Sequence, residues 1–113
     1  MTTKLHVYQG DTATYEVTVT TSKGEVVNLT DASIVFSVVQ YLGDTTYLIQ
    51  KSSEDISELE ITDPTNGRFK VYLNSTDLAL APGYYAYDIE ITLASGQRQT
   101  IEQDFLIVKQ DVS

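Results

Sequence analysis

The chain has 113 residues, 42% of them hydrophobic, with 8 Tyr, 3 Phe, no Trp, no Cys and one His, which fits one domain spanning 1–113. The absence of Cys excludes a disulfide framework, a thiolate zinc site and thiol chemistry, and one His excludes a multi-histidine metal centre. Seven Lys+Arg against sixteen Asp+Glu give a net charge of −9, which repels phosphate backbones and anionic lipid, so neither nucleic acid nor membrane is an expected partner and no cofactor is expected.

Met1-Thr-Thr-Lys-Leu-His-Val-Tyr8 reads as a first strand. It lacks the apolar run of a signal peptide, and no stretch of the chain approaches the length of a membrane span, so synthesis and folding in a cytosol are expected. In Thr14-Tyr-Glu-Val-Thr-Val-Thr20, Tyr15, Val17 and Val19 alternate with polar residues, the pattern of a strand with one buried and one wet face. Ser22-Lys-Gly-Glu25 supplies a turn, and Val26, Val27 and Leu29 predict a short return strand. Ala32 to Tyr41 is rich in β-branched residues. Ile34, Phe36 and Val38 take the core face, while Val35, Val39 and Tyr41 leave the other face apolar enough to meet a partner.

Gly43-Asp44-Thr45 breaks the chain before a strand at Thr46–Lys51, and Ser52 to Glu60 reads as an acidic loop with one helical turn at most. In Asp63-Pro-Thr-Asn-Gly67 the Pro presets one turn residue and Asn-Gly supplies a positive-φ position, so a hairpin leads into the alternation of Phe69, Val71 and Leu73. Asn74 to Gly83 predicts a capped turn in which Ser75 or Thr76 covers free amides and Pro82-Gly83 forbids continuation. From Tyr84 to Leu93, the residues Tyr85, Tyr87, Ile89, Ile91 and Leu93 share a core face and Ala86, Asp88, Glu90 and Thr92 a wet one. Ser95-Gly96 turns the chain into a last strand within Gln97–Gln110, hairpin-paired with its predecessor, whose apolar end is Phe105 to Val108. Turn signals about every 8–12 residues and the lack of a long helical pattern predict an all-β antiparallel β-sandwich of about seven to nine strands.

Candidate chemical sites reduce to ordinary structural roles. His6 lies in a strand with no nucleophile motif near any Ser. Glu54, Asp55, Glu58, Glu60 and Asp63 lack the spacing of a calcium loop and read as a solvated loop. Asp88 and Glu90, two apart on one strand, share a wet face rather than a glycosidase site. Asn28-Leu-Thr30 and Asn74-Ser-Thr76 satisfy a glycosylation sequon but read as turn and cap residues. No catalytic or metal-binding residue is assigned, and the chain is expected not to be an enzyme. Tyr41, Tyr47, Tyr72 and Tyr84 remain as candidate interface anchors, because Tyr brings a large contact area at low entropy cost.

Gly10-Asp11-Thr12, Gly24-Glu25-Val26-Val27-Asn28-Leu29, Thr65-Asn66-Gly67-Arg68-Phe69-Lys70-Val71 and Leu80-Ala81-Pro82-Gly83-Tyr84-Tyr85-Ala86-Tyr87 occur in that order. Together they resemble the N-terminal domain of tailed-phage baseplate upper proteins, over nearly the whole chain. The resemblance implies an immunoglobulin-like fold in a virion and carries over no catalytic residue. In such a fold Tyr85, just after Pro82-Gly83, matches the corner tyrosine that pins a loop. In that family the domain is usually the docking end of a longer polypeptide, whereas this sequence stops at Ser113, so the surface alone is expected to act. The expectation is a non-enzymatic structural protein of a tailed bacteriophage. It would dock on the capsid as a decoration or cement unit, or on the tail or baseplate as an adaptor. Other virion proteins are the expected partners, with a homo-oligomer also open. Edge strands at Lys4–Tyr8 and Thr46–Lys51 are the expected joints. A carbohydrate-binding sandwich that aids host adhesion through exposed tyrosines is the alternative.

Overall fold

Alternation of apolar and polar residues sets most of the elements. The computed structural model describes residues 5–21, 23–41 and 43–110, with Glu102 described by its backbone alone. Lys4 and Ser22, which the sequence assigns to the first strand and the first turn, lie outside the described residues. Eight strands follow in order among the described residues: β1 (Leu5–Tyr8), β2 (Ala13–Thr18), β3 (Ser33–Val39), β4 (Ile49–Ser52), β5 (Leu59–Asp63), β6 (Arg68–Leu73), β7 (Gly83–Thr92) and β8 (Arg98–Lys109), with a 3-10 turn at Pro64–Asn66. They form a five-stranded sheet in the order β1-β8-β7-β3-β4 and a three-stranded sheet in the order β2-β6-β5.

The order β8-β7-β3-β4 beside β2-β6-β5 is the strand order of a variable-type immunoglobulin sandwich. One pairing departs from the antiparallel expectation: β1 runs parallel to β8, with Leu5 opposite Leu106 and Tyr8 opposite Lys109. These strands lie at opposite ends of the sequence, so no hairpin constrains their sense. The predicted return strand at Val26 to Leu29 shrinks to an isolated bridge, Thr20 with Val26. Its backbone is drawn elsewhere: Leu29 N–H donates to Pro64 O at 2.7 Å, and Asn28 Oδ1 accepts from the N–H of Thr30 at 2.9 Å and from its hydroxyl at 2.6 Å.

The core lies between the sheets. Ile34, Phe36 and Val38 from β3, Phe69 and Val71 from β6, and Tyr87 and Ile89 from β7 are fully buried. Immunoglobulin domains centre this space on a disulfide two residues after the corner tyrosine and on a Trp of the third strand. Here Tyr87 takes the cysteine's place, packing against Phe36 with ring centroids 5.5 Å apart and edge-on against Tyr15 at 6.4 Å. An aromatic trio thus joins the sheets that a covalent bridge joins elsewhere. Tyr85 fills the corner role, its hydroxyl donating to Ala81 O at 2.6 Å.

The connection between β6 and β7 is held by a polar lock. Between β6 and β7 the turn is capped reciprocally by Asn74 and Asp77, each backbone N–H donating to the other's side chain at 2.8 Å. The cap is therefore Asn74 rather than Ser75 or Thr76, because Asn accepts the amide three residues on. Leu78 beneath it is fully buried. Asp77 also pairs with Lys51 of β4 at 2.7 Å, with side chains only 17% and 8% exposed.

Candidate interaction surface

The outer face of the five-stranded sheet is where exposed apolar side chains collect. The alternation that sends Tyr85, Tyr87 and Ile89 inward sends Tyr84, Ala86, Asp88 and Glu90 outward. Register aligns these with β8, placing Tyr84 opposite Ile107, Ala86 opposite Phe105 and Asp88 opposite Gln103. Ile107 is in turn opposite His6, and Ala86 opposite Val39. Two cross-strand rows result, Val39–Ala86–Phe105 and Tyr84–Ile107–His6, and Tyr8 extends the face beside Lys109.

Ala86 is only 6% exposed and Ile107 9%, although both face outward. The sequence expectation of a wet position at Ala86 is corrected here: its flanking strands carry Val39 and Phe105, which cover it. Above this floor Tyr84 and Phe105 stand 64% and 46% exposed, already in edge contact at 5.9 Å. Tyr8 is 51% exposed. Tyr41 and Tyr47, at 71% and 53%, rise from the connection between β3 and β4. At roughly 200 Å² per fully exposed ring residue, these five together expose about 570 Å², comparable with the largest apolar patch of a typical monomer at about 300–600 Å².

Three of the four candidate tyrosines, Tyr41, Tyr47 and Tyr84, are therefore exposed. Tyr72 sits on the three-stranded sheet, partly buried, its hydroxyl donating to Glu60 Oε1 at 2.7 Å. That hydrogen bond first, then burial and the carboxylate's charge, hold its phenol above the ordinary value. Tyr8 and Phe105 complete the patch without having been singled out in the sequence. The signals were present: alternation in Leu5-His-Val-Tyr8 opposes Tyr8 to the core, and four consecutive apolar residues from Phe105 to Val108 must put two on each face.

Away from the aromatic rows the same face turns polar and acidic. Glu90 Oε1 accepts from Arg98 Nε at 2.7 Å. Asp88, half-buried and outside any ion pair among the described residues, is held above the ordinary carboxylate value by burial first and then by Glu90's charge. Between Asp88 and the β3–β4 connection lies a depression of about 210 Å³, lined by Ser37, Val39, Ala86, Asp44, Tyr47 and Gln103. Elsewhere, Asp55 Oδ1 accepts from the N–H and hydroxyl of Ser57 at 2.9 and 2.6 Å, which folds the acidic loop onto itself. No group of three or more potential metal ligands occurs among the described residues, and no helix among them is long and apolar enough to cross a membrane.

Both predicted joints fall at edges of the five-stranded sheet, β1 at one side and β4 at the other, although β4 starts at Ile49 and leaves Thr46–Leu48 in the connection. They differ in character. On β4 the inward-facing Lys51 is the kind of charge that discourages a second chain from pairing with an open edge. β1 carries His6 and Tyr8 outward and adjoins the aromatic face.

A two-layer sandwich in variable-type strand order, with exposed aromatic residues on its larger sheet, defines an immunoglobulin-like domain. The chain matches the BppU N-terminal domain family over residues 1–112 and belongs to that family, the N-terminal domains of phage baseplate upper proteins. It is accordingly a phage baseplate-associated structural domain, a virion component that contacts other virion proteins. No curated protein matches the chain. Among solved structures it is similar to the soluble domain of PmoD from Methylocystis sp., at 13% identity over 92% of this chain and 77% of that one, with a TM-score of 0.52. It is also similar to the NK cell receptor Nkp44, at 14% identity over 96% of this chain and 99% of that one, with a TM-score of 0.51. At these identities the likeness is one of fold.

Proposed function

We propose that this domain is a non-enzymatic docking module of the tail baseplate, attached to another virion protein through the outer face of its five-stranded sheet. Family membership favours the tail over the capsid. The observation that carries the docking surface is the pair of cross-strand rows topped by Tyr84 and Phe105, where aromatic anchors stand pre-packed on a rigid, strand-borne floor. Rings already in contact lose little freedom on binding, and aromatic residues dominate the buried centres of interfaces.

Immunogold electron microscopy of purified particles, with antibody raised to this chain, tests the assignment. Label confined to the tail end is the expected result. Label over the head would replace it with a capsid decoration role, and absence from the particle would refute docking altogether. A glycan array is the companion measurement. Binding that disappears on Tyr41→Ala or Tyr47→Ala would favour host adhesion through carbohydrate instead.

A further inference from the structure

A standard interface buries about 800 Å² on each partner, more than the roughly 570 Å² that the five exposed aromatic residues present. Any protein seated on them therefore extends beyond the rings, and one flank is the row next to Ala86. That row contains Asp88, two residues along β7 from Ala86 and so about 7 Å away. Asp88 has no ion-pair partner among the described residues, and neither has Asp44 across the depression, whose Oδ2 accepts only the Tyr41 N–H at 3.1 Å. Covering two carboxylates with neutral protein surface is costly, because a buried charge needs a counter-charge and hydrogen bonds. Asp88 already sits at the edge of that penalty: burial raises its pKa before any partner arrives.

The depression supplies the rest of a recognition site. At about 210 Å³ it is smaller than the pockets that hold cofactors or drug-sized ligands, and its size suits one side chain. Its lining is mixed: Ala86 and Val39 give an apolar stretch beside the buried Ser37, Tyr47 adds an aromatic ring, and Asp44 and Asp88 add two carboxylates. An arginine matches these features: a methylene stem for the apolar stretch, a planar cation for the ring face, and forked donors for the carboxylates.

We infer that the partner covering this face is a different protein, which inserts an arginine into the depression between Asp44, Tyr47 and Asp88. The inference rests on the docking reading above. A second copy of this chain is a poor occupant, because it brings another surface of net charge −9.

The test has two arms. In the first, isotope-labelled full chain is titrated with N-acetyl-arginine amide and followed by amide NMR, with N-acetyl-alanine amide as the control. Shifts confined to Asp44, Tyr47, Ala86 and Asp88, weakened roughly tenfold or more in Asp44→Asn/Asp88→Asn, are expected. Asp88→Asn removes a desolvated charge, so the variant folds, and far-UV circular dichroism verifies it. No localised shift, or equal shifts in the variant, overturns the inference. The second arm counts copies of the wild-type chain and of Asp88→Lys in purified particles. Wild type present and Asp88→Lys depleted supports the arginine contact, and equal occupancy overturns it while leaving docking intact. If the wild type is absent from the particle, the docking reading itself falls. A dimer that forms through this face in solution would also overturn the choice of partner.

Discussion

Replacing Gly67 with Ala tests how tightly the β5–β6 hairpin packs against the end of β2 and the segment around Val27. Gly67 follows the Pro64–Asn66 turn at φ +70°, and its own carbonyl accepts from Val19 N–H at 2.8 Å. A Cβ added there would lie 2.7 Å from Val27 O and 2.8 Å from Val19 O. Neither carbonyl belongs to a movable side chain, and Val19 O is itself fixed by accepting Val27 N–H at 3.0 Å. The left-handed conformation costs Ala about 1–2 kcal/mol, and forcing apart well-packed backbone adds about 1–3 kcal/mol. Lower entropy of the unfolded chain returns about 0.4–1 kcal/mol. The net loss is about 3 kcal/mol, a large part of the 5–15 kcal/mol typical of a domain.

Gly96→Ala is the internal control, since Gly96 is also at positive φ, +90°, but has nothing within 4 Å of an added Cβ. It should lose only about 1 kcal/mol. Urea denaturation of both variants reads the difference: with a slope of about 1.5 kcal/mol per molar, Gly67→Ala should shift the midpoint by about 2 M and Gly96→Ala by less than about 1 M. Midpoints within about 0.3 M of each other would refute the steric argument.

Four further measurements probe separate links. Tyr85→Phe deletes the 2.6 Å bond to Ala81 O, and because Ala81 is exposed water can replace the donor, so thermal or urea unfolding should register a loss of about 1 kcal/mol. A double-mutant cycle over Lys51→Met and Asp77→Asn should give a coupling of about 2 kcal/mol, since their 2.7 Å pair is shielded at 8% and 17% exposure; additivity within about 0.5 kcal/mol would show that solvent screens it. Asp88 has a raised folded pKa, so its ionised form opposes folding above that value, and the penalty fades as pH falls through it towards the ordinary value of 3.8. Asp88→Asn should therefore be more stable than wild type at pH 7 and lose that advantage near pH 4, a convergence readable in unfolding midpoints. Tyr84→Ser/Phe105→Ser should deplete the chain from particles while changing the unfolding midpoint little, as both side chains are about half exposed.

Strand positions were legible because a period-two pattern is local. Ile34, Phe36 and Val38, and Tyr85, Tyr87, Ile89 and Ile91, declare their burial through alternation alone. The Asn66-Gly67 turn was equally plain, since few residues other than Gly tolerate that φ. What alternation cannot say is which strands meet. The parallel pairing of β1 with β8 joins residues about a hundred positions apart in the chain, and nothing near Leu5 encodes it. Val26 to Leu29 failed as a strand for the same reason: its apolar residues are right, but Leu29 N–H is taken by Pro64 O of a distant hairpin. The tyrosines divide similarly. Tyr84 and Tyr72 both sit at outward strand positions, yet one faces solvent and the other donates to Glu60 from the neighbouring strand.

The interaction face follows from the way the core is built. With no Cys to join the sheets, the sandwich relies on Tyr15, Phe36 and Tyr87 crossing between them, and these rings fix the inner side of β7 and β3. With the inner side packed, the register between β3, β7 and β8 sets Ala86 beside Val39 and Phe105 on the outer side, and Tyr84 and Phe105 stand exposed beside them. An apolar face of this size invites non-specific association. The charges around it counter that: Asp88 and Asp44 make covering the face costly for any neutral or acidic surface, and Lys51 guards the far edge. On the proposed docking reading, selectivity arises from what the aromatic rows attract and what the unpaired carboxylates refuse.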